Sequence, residues 1–572
     1  MSTVEGVVPM VGKDSRIKKH TPSILLGATM FFTGGAGLVA EYILSTVSTY
    51  VLGNSIEQFS VVIALSLLMM GVASLLQKFI SDKNIIEKFI GAEILLALLI
   101  GFSPIAMYAA YGTVKDHFAL IQYSFIVSIG FIIGLEIPLV MRINEKYIKG
   151  LSTNIASTLS LDYVGSFVFA LLWVFFLLRK FPLTEISFIM AFVNLLVASV
   201  TFCYFAKAGL VKKWTRILVV ITATFCLIIF GFVSNRGWAM ELQQKLYDDP
   251  IVYSETTKYQ QLVMTESKSL GEYSLFINGN KQFSSLDEHI YHEMLVHPVM
   301  TLVPDHSQVL VVGGGDGLAV RELLKYPDVE NVDLVDIDPG MIRFSTENPI
   351  MSQLNKGSFK DARVHASASE GVKPGTLNRP VFKGNDQFND KGREMVDQVA
   401  SVNIFTVDAD LFVGPENGKR YNVIIVDLPD PESVELSKLY SQEFYRKLNR
   451  LLSDTGAIVV QSTSPYHAKE AYLTINRTID ASGFSTLPYH VNVPSFGDWG
   501  WVMATKKTTS VDMKEEIAAG SFPSDTQYIT QDVFLGSTVF GKGWLDSENT
   551  DISTLMNPVI LDRYVHDGWK VD

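Results

Sequence analysis

Seven long apolar stretches fill the first 235 residues of this chain of 572 and constrain its fold more than any other feature. They lie near 24–50, 56–80, 89–111, 118–141, 154–178, 183–206 and 216–234. Each is long enough to cross about 30 Å of hydrocarbon, for which a helix needs about 20 residues. Because six more stretches follow the first, it is not a cleavable signal peptide. The pattern predicts an α-helical multi-span membrane domain of about seven helices over 21–235, after an N-terminal cytoplasmic tail at 1–20.

The short loops between these stretches differ in their content of Lys and Arg. When alternate loops are grouped, one side carries 14 basic residues and the other carries four. Since basic loops stay in the cytoplasm, the N-terminus is expected there and the protein in the plasma (inner) membrane. Seven spans would then put the C-terminal half outside the cytoplasm, although adenosine cofactors are made inside. The face of that half therefore stays open.

Acidic residues occur within or near the apolar stretches. Glu41, Glu136 and Asp162 lie deep in their stretches, whereas Glu93 and Glu185 lie near the ends and are expected to reach the interface. Acids inside a membrane are costly and suggest a path for protons or cations. They can also accept hydrogen bonds from neighbouring helices, so their role stays open.

Residues 236–572 have the mixed composition of a globular region that is long enough to bury its own core. The net charge of the whole chain is −12, and no basic stripe is present, which argues against nucleic acid as a partner. Both cysteines, Cys203 and Cys226, lie in apolar stretches. Without a disulfide framework or zinc spacing, no metal site is expected.

Alternating strand and helix patterns predict an α/β fold for this second half. A linker and a small antiparallel β unit are expected over 236–300, around the turn at Asn278 and Gly279. Strands then alternate with helical segments over 301–510, which favours a parallel sheet covered on both faces. The segment 368–400 has no clear period and is interpreted as a surface insertion. Residues 511–572 form a C-terminal extension.

The stretch Val309–Pro339 has the order strand, glycine turn, helix, strand and acid. The turn contains the glycines Gly313, Gly314, Gly315 and Gly317. Such a turn lets a ligand approach the backbone closely. Asp336 lies 20 positions after Asp316, at the end of the second strand, where an acid can accept both ribose hydroxyls. Because Asp316 would repel a pyrophosphate, a cationic cofactor similar to S-adenosylmethionine is favoured over NAD.

Further acids follow the ends of later strands. Asp408 follows the third strand, where it could bond an adenine amino group, and Asp427 and Asp430 follow the fourth. Ligands of open α/β sheets bind beyond the carboxyl ends of strands, so these acids are expected in one cleft. Two carboxylates three residues apart can bind a cationic substrate and take a proton from it. Use in turns and helix caps is the alternative.

Seven motifs stand in order along the second half. They are YQQLV (259–263), LFINGNKQFSSLDEHIYHEMLVHP (275–298), VGGGDG (312–317), VDID (335–338), VDA (407–409), DLPDP (427–431) and VPSFGDWGW (493–501). Together they resemble the polyamine aminopropyltransferase (spermidine synthase) family, and the whole chain resembles its membrane-fused bacterial branch. The resemblance implies a methyltransferase-like Rossmann domain after the β unit.

The resemblance also implies the substrates and the residues that bind the donor. The aminopropyl donor would be decarboxylated S-adenosylmethionine, the acceptor an amine such as putrescine and the product methylthioadenosine, with no metal needed. Partners would be the lipid bilayer and, since soluble relatives are often dimers or tetramers, a homo-oligomer. Six residues would hold the donor: Gln260, His292 and Asp316 along its sulfonium and aminopropyl end, Asp336 at the ribose, and Asp408 with Ala409 at the adenine.

On the acceptor side, the resemblance implies that Tyr291 and Asp427 flank the attacking nitrogen and that Asp430 receives the acceptor amine. Three departures from the soluble relatives concern this side. Leu428 and Pro429 separate the two acids where relatives usually have Ser or Thr, and Phe496 stands where relatives often have Tyr in the acceptor loop. The third is the insertion at 368–400. The acceptor is therefore less well defined than the donor.

Two other functions fit parts of the sequence. An S-adenosylmethionine-dependent methyltransferase would use the same glycine turn, but it needs room for a carboxylate that Asp316 would repel. A polyamine transporter or sensor with a regulatory α/β domain would give Glu41, Glu136 and Asp162 a role.

Overall fold

The computed structural model describes residues 16–52, 55–114, 117–148, 150–360, 364–366, 401–415, 417–566 and 568. The chain divides into two compact units, Met1–Asp248 and Asp249–Asp572, which we call the helical unit and the α/β unit. The predicted insertion at 368–400 and most of the predicted tail at 1–20 lie outside the described residues.

Long apolar helices form the helical unit. They are α1 (Arg16–Leu52), α2 (Ser55–Leu76), α3 (Ile85–Thr113), α4 (Phe118–Asn144), α5 (Leu151–Leu172), α6 (Leu178–Lys180), α7 (Leu183–Lys207) and α8 (Trp214–Gln244). A 3-10 turn, Gln77–Phe79, follows α2, and a π-helical turn, Trp173–Leu177, joins α5 to the short α6. Within the described residues, seven helical spans are long and apolar enough to cross a membrane. The predicted number of about seven is confirmed.

Glycines bring pairs of these helices to backbone contact. A Cβ atom on Gly165 of α5 would lie 1.9 Å from the carbonyl oxygen of Phe31 on α1. One on Gly134 of α4 would lie 2.5 Å from the Cα atom of Met70 on α2. Since neither position has room for a side chain, these glycines set how closely α1 packs on α5 and α2 on α4.

The acids of the helical unit differ in their surroundings. Glu41 and Glu136 are buried, with exposed fractions of 6% and 1%. Glu93 has an exposed fraction of 0%, so the expectation that it reaches the interface is wrong. The physical reason is that Glu93 lies on the buried face of α3, beside Glu136 of α4, whereas Leu95 on another face is exposed. Glu185 lies in the first turn of α7 and accepts a hydrogen bond from Arg236 at 2.7 Å.

A four-stranded antiparallel sheet opens the α/β unit, as predicted. Its strands lie side by side in the order β1 (Ile251–Thr256), β2 (Gln261–Ser267), β3 (Glu272–Ile277) and β4 (Asn280–Ser284). The turn between β3 and β4 contains Asn278 at φ 51° and Gly279 at φ 86°. Asn-Gly is the pair that most readily adopts two left-handed residues, so the sequence specifies this hairpin locally.

The large sheet of the α/β unit has eight strands in the order β11-β12-β10-β9-β5-β6-β8-β7. They are β5 (Gln308–Gly313), β6 (Asn331–Asp336), β7 (Val364–Ala366), β8 (Ser401–Thr406), β9 (Tyr421–Asp427), β10 (Leu452–Gln461), β11 (Ser485–Val493) and β12 (Gly497–Thr505). The run from β10 to β7 pairs in parallel, as predicted. The alternation of strands and helices over 301–510 also placed β12 in the parallel series; that prediction is wrong, because β12 pairs antiparallel with both β10 and β11.

Helices cover both faces of the large sheet. They are α9 (Glu288–Leu302), α10 (Leu318–Leu323), α11 (Pro339–Glu347), α12 (Pro349–Leu354), α13 (Ala409–Phe412), α14 (Val434–Ser437), α15 (Gln442–Leu451), α16 (Lys469–Asp480), α17 (Ser510–Ala519), α18 (Gln531–Ser537) and α19 (Val559–Val565). Val309 and Val311 of β5 belong to one buried cluster, and Leu310 and Val312 belong to the other. Successive strand residues thus face opposite apolar layers, which leaves the strand ends for polar chemistry.

Candidate active site

The glycine turn after β5 lies directly against the end of β9. The amide nitrogen of Gly314 donates to the carbonyl oxygen of Asp427 at 3.1 Å. Gly313 has φ 82°, and a Cβ atom there would lie 2.0 Å from the same carbonyl oxygen. Only glycine meets both requirements, the left-handed backbone and the close approach. The turn therefore brings Asp316 and Asp427 to the same edge of the sheet.

Asp336 ends β6, and its side chain is held beside this turn. One carboxylate oxygen accepts from the amide of Gly315 at 3.1 Å and the other from the amide of Asp338 at 2.8 Å. Burial raises the pKa of Asp336 to about 7. Gln260 lies in the turn before β2, where the Thr257 hydroxyl donates to Asp338 at 2.7 Å. The small sheet is thus tied to the loop that directly follows Asp336.

Tyr291 of α9 reaches across the cleft to Asp427. Its hydroxyl donates to a carboxylate oxygen of Asp427 at 2.7 Å. Burial raises the pKa of Asp427 to about 6, and the nearby charge of Asp316 adds to this effect. His292 and the Tyr291 hydrogen bond oppose the rise. A carboxylate with a pKa near neutrality is suited to accept a proton at neutral pH.

His292 supplies a positive charge between the acids. Its Nδ1 atom lies 2.8 Å from Glu288, and its Nε2 atom lies 4.0 Å from Asp316. Burial disfavours the charged ring, but Glu288, Asp316 and Asp427 outweigh burial and raise the pKa of His292 to about 9. The ring is therefore an imidazolium at neutral pH and balances part of the negative charge in the cleft.

A buried ion pair that the sequence analysis missed fixes this histidine. Arg321 of α10 donates to both carboxylate oxygens of Glu288 at 2.7 and 2.9 Å, and it also donates to Glu322 at 2.8 Å. Although burial opposes ionisation, hydrogen bonds from His292 and Arg321 lower the pKa of Glu288 to about 2. The spacing of Glu288 and His292 along α9 was a readable signal, whereas Arg321 comes from another helix.

The donor atoms of His292, Asp316 and Asp427 lie within 4.8 Å of one another. Such a set could hold a divalent metal if the imidazole were neutral. The raised pKa of His292 means that a metal would have to displace a proton from the ring. The carboxylates of Asp316 and Asp427 can also attract a cationic organic ligand.

Asp408 follows β8 and caps α13 through the amide of Asp410, at 2.9 Å. The ammonium of Lys438 lies 2.5 Å from the other carboxylate oxygen of Asp408. Ala409 is buried beside it, with an exposed fraction of 8%. Sequence reasoning missed Lys438, which is 30 residues away along the chain. A ligand atom at Asp408 would have to share the carboxylate with this lysine.

Asp430 lies beyond the end of β9 and is held by neutral donors. Gln461 donates to one of its oxygens at 2.9 Å and Thr463 to the other at 3.1 Å. Burial raises the pKa of Asp430 despite these hydrogen bonds. Phe496 packs against Trp499, with the ring centroids 5.2 Å apart. No sequence motif pointed to Gln461 or Thr463 as site residues.

Comparisons with known proteins match the sequence of this chain to a family. The family model described as "Spermine/spermidine synthase domain" matches residues 288–374 and 397–515. Polyamine aminopropyltransferase 2 of Aquifex aeolicus is 35% identical over 543 residues, which cover 95% of this chain and 98% of that relative. Polyamine aminopropyltransferase of Oceanobacillus iheyensis is 34% identical over 537 residues, which cover 92% of this chain and 94% of the relative.

Solved structures also resemble the chain. A spermidine synthase in complex with the transition state analogue AdoDATO aligns with a TM-score of 0.41 at 23% identity, covering 51% of this chain and 86% of that chain. The similarity to the relatives from Aquifex aeolicus and Oceanobacillus iheyensis extends over the helical unit as well, since it covers more than nine-tenths of the sequence. The resemblance that the motifs indicated is confirmed, and the chain belongs to the polyamine aminopropyltransferase family.

Proposed function

We propose that this enzyme transfers the aminopropyl group of decarboxylated S-adenosylmethionine to an amine such as putrescine and releases methylthioadenosine. The observation that carries the proposal is the hydrogen bond between Tyr291 and Asp427, with Asp316 beside it. Asp427 can accept a proton from an amine, and Asp316 adds the negative charge that attracts a cationic donor.

The donor is positively charged at its reacting end, where it carries a sulfonium and a primary ammonium. In this proposal Gln260, His292 and Asp316 line that end, and Asp336 binds the ribose hydroxyls. Asp408 and Ala409 face the adenine, with Lys438 as an additional neighbour. The carboxylate of intact S-adenosylmethionine would be repelled by Asp316, so the decarboxylated form is favoured.

The acceptor amine must lose a proton before it can react, because an alkyl ammonium has a pKa near 10. Asp427 takes this proton while Tyr291 holds its carboxylate in place. The freed lone pair of the nitrogen forms a bond to the aminopropyl carbon next to sulfur. The carbon–sulfur bond breaks, and its electron pair stays on sulfur as the neutral thioether of methylthioadenosine. Alignment of the two substrates contributes much of the rate, and no step needs a metal.

We also propose that the helical unit is embedded in the plasma (inner) membrane. The support is the length and apolar composition of its seven spans, together with large apolar side chains on their outer surface such as Leu67, Phe79 and Val233. Exposed apolar area of this extent is normally covered by lipid or protein. The protein should stay in the membrane pellet at alkaline pH and be released by detergent. Release by alkaline carbonate alone would contradict the embedding.

The enzymatic proposal is tested with the purified full-length protein in detergent. Decarboxylated S-adenosylmethionine and putrescine should yield methylthioadenosine and an aminopropylated amine, both followed by mass spectrometry. Asp427→Asn should lose this activity and keep its fold, whereas Asp454→Asn, at an exposed acid in β10, should behave as wild type.

Absence of methylthioadenosine across a panel of amines, with a folded wild-type protein, would show that the proposal is wrong. Release of S-adenosylhomocysteine from S-adenosylmethionine would instead favour a methyltransferase.

A further inference from the structure

The C-terminal extension packs over the side of the α/β unit that carries Asp430. Ile560 of α19 is fully buried in the apolar cluster beneath β9 and β10. Upstream of α19, the amide of Gln442 donates to the carbonyl oxygen of Ser553 at 2.8 Å, and the indole of Trp544 donates to Pro465 at 3.0 Å. These contacts fix the extension on the folded unit rather than leave it as a loose tail.

This packing brings Tyr564, in the last turn of α19, to Asp430. The Tyr564 hydroxyl forms a hydrogen bond with the Asp430 carboxylate. Asp430 therefore receives hydrogen bonds from Tyr564, Gln461 and Thr463, which together orient it. All three donors are neutral, so the negative charge of the carboxylate stays available to a cation. The extension thus supplies a hydroxyl next to the acceptor acid.

A second acid, Glu432, stands next to Asp430 on the same turn. The amide of Glu432 donates to the carbonyl oxygen of Asp430 at 2.7 Å. The side-chain amide of Asn280, in the hairpin of the small sheet, donates to the Glu432 carboxylate at 2.7 Å. Burial and the charge of Asp430 raise the pKa of Glu432 to about 7. Among the described residues, no Lys, Arg or His forms an ion pair with either acid within 4 Å.

The two acids are therefore adjacent on one turn and lack a cationic partner in the described part of the protein, and a bound cation would favour the ionised form of both. The hairpin at Asn280 borders this pair on one side and the C-terminal helix on the other. An ammonium group is the ligand that would offset the charge and take hydrogen bonds from both carboxylates. A monoamine whose nitrogen sits at Asp427 would leave the pair empty.

We propose that Glu432 is a specificity-determining residue that binds the second ammonium of a diamine acceptor together with Asp430, and that Tyr564 is the positioning residue for Asp430. This inference rests on the proposed aminopropyl transfer and deepens it. The enzyme should therefore discriminate between acceptors that carry two amino groups and those that carry one. The discrimination depends on residues from the turn after β9 and from the C-terminal extension.

The test compares putrescine with butylamine, which has the same carbon chain and one amino group. Methylthioadenosine release by the full-length protein is measured with saturating decarboxylated S-adenosylmethionine. Glu432→Gln should raise the KM for putrescine about tenfold or more, because a charge-assisted hydrogen bond is lost. It should leave kcat/KM for butylamine and the KM for the donor unchanged. The matched control, Glu435→Gln, alters an exposed acid three residues away and should leave all values unchanged.

Tyr564→Phe should raise the KM for putrescine several-fold and leave kcat nearly constant, since the phenyl ring keeps the packing of α19. Equal loss for both amines, or an unchanged putrescine KM in an active Glu432→Gln enzyme, would overturn the inference and leave the proposed function intact.

If the folded wild-type protein releases methylthioadenosine with no amine of a wider panel, the proposed function is wrong. In that case, isothermal calorimetry compares the affinity of the wild-type protein and of Glu432→Gln for putrescine. Equal affinities would refute the role of Glu432 in binding the second ammonium.

Discussion

Removal of the Tyr291 hydroxyl should move the acid limb of the pH–rate profile to higher pH. In the proposed mechanism the active form of Asp427 is the carboxylate, which is lost as the pH falls through about 6. Tyr291 stabilises that carboxylate through a hydrogen bond of 2.7 Å. Tyr291→Phe keeps the ring against its neighbours Trp499 and Trp501 and removes only the donor.

The size of the effect follows from the energy of one hydrogen bond to a charged group, about 1.5–3 kcal/mol. Since a tenfold change in ionisation corresponds to about 1.4 kcal/mol, the pKa of Asp427 should rise to roughly 7–8 in the variant. At about pH 6 the ionised fraction of Asp427 would fall from about one-half to between about one-tenth and one-hundredth. The rate should then drop by roughly 5- to 50-fold. At about pH 8.5 the two enzymes should differ by less than about twofold.

The assay is methylthioadenosine release with one amine between about pH 5.5 and 9, reported as kcat/KM for the acceptor. Tyr445→Phe is the matched control, because the Tyr445 hydroxyl is buried in the same unit and has no hydrogen-bond partner among the described residues. The Tyr445→Phe enzyme should keep the acid limb of the wild-type pH–rate profile. A uniform loss at every pH, or a limb that stays near 6, would refute the idea that Tyr291 acts by stabilising the Asp427 carboxylate.

Two further substitutions test the donor side and the buried ion pair. Gly315→Ala would put a Cβ atom 2.4 Å from a carboxylate oxygen of Asp336. It should raise the KM for the donor about tenfold or more without changing the acceptor KM, whereas Gly536→Ala, in open space, should change neither. Glu288→Gln should lower the free energy of unfolding by about 1.5–3 kcal/mol, because Arg321 loses one of its two buried carboxylate partners and keeps Glu322. Chemical denaturation of the full-length protein measures this, and a loss below about 1 kcal/mol would contradict the buried pairing.

Much of the fold could be predicted from the sequence because the patterns that specify it are local. The apolar stretches are long and continuous enough to cross a bilayer, so the seven spans follow from length and apolar composition together. The Asn278-Gly279 turn and the alternation of strands and helices also act over short distances. The antiparallel placement of β12 was not readable, because a buried edge hairpin and a buried parallel strand have the same apolar composition. The burial of Glu93 was not predicted either, because the face of α3 that is buried depends on how the helices pack against each other.

The sequence by itself determined which residues end or follow the central strands, and this put Asp316, Asp336 and Asp427 in one cleft. It also placed Tyr291 and His292 on the helix that faces them. Only the tertiary structure decided which groups surround the acids of the site. Lys438 at Asp408, Arg321 at Glu288 and Tyr564 at Asp430 all come from elements far along the chain. The physical reason is that periodic patterns encode local conformation, whereas a contact between distant residues depends on how whole elements pack.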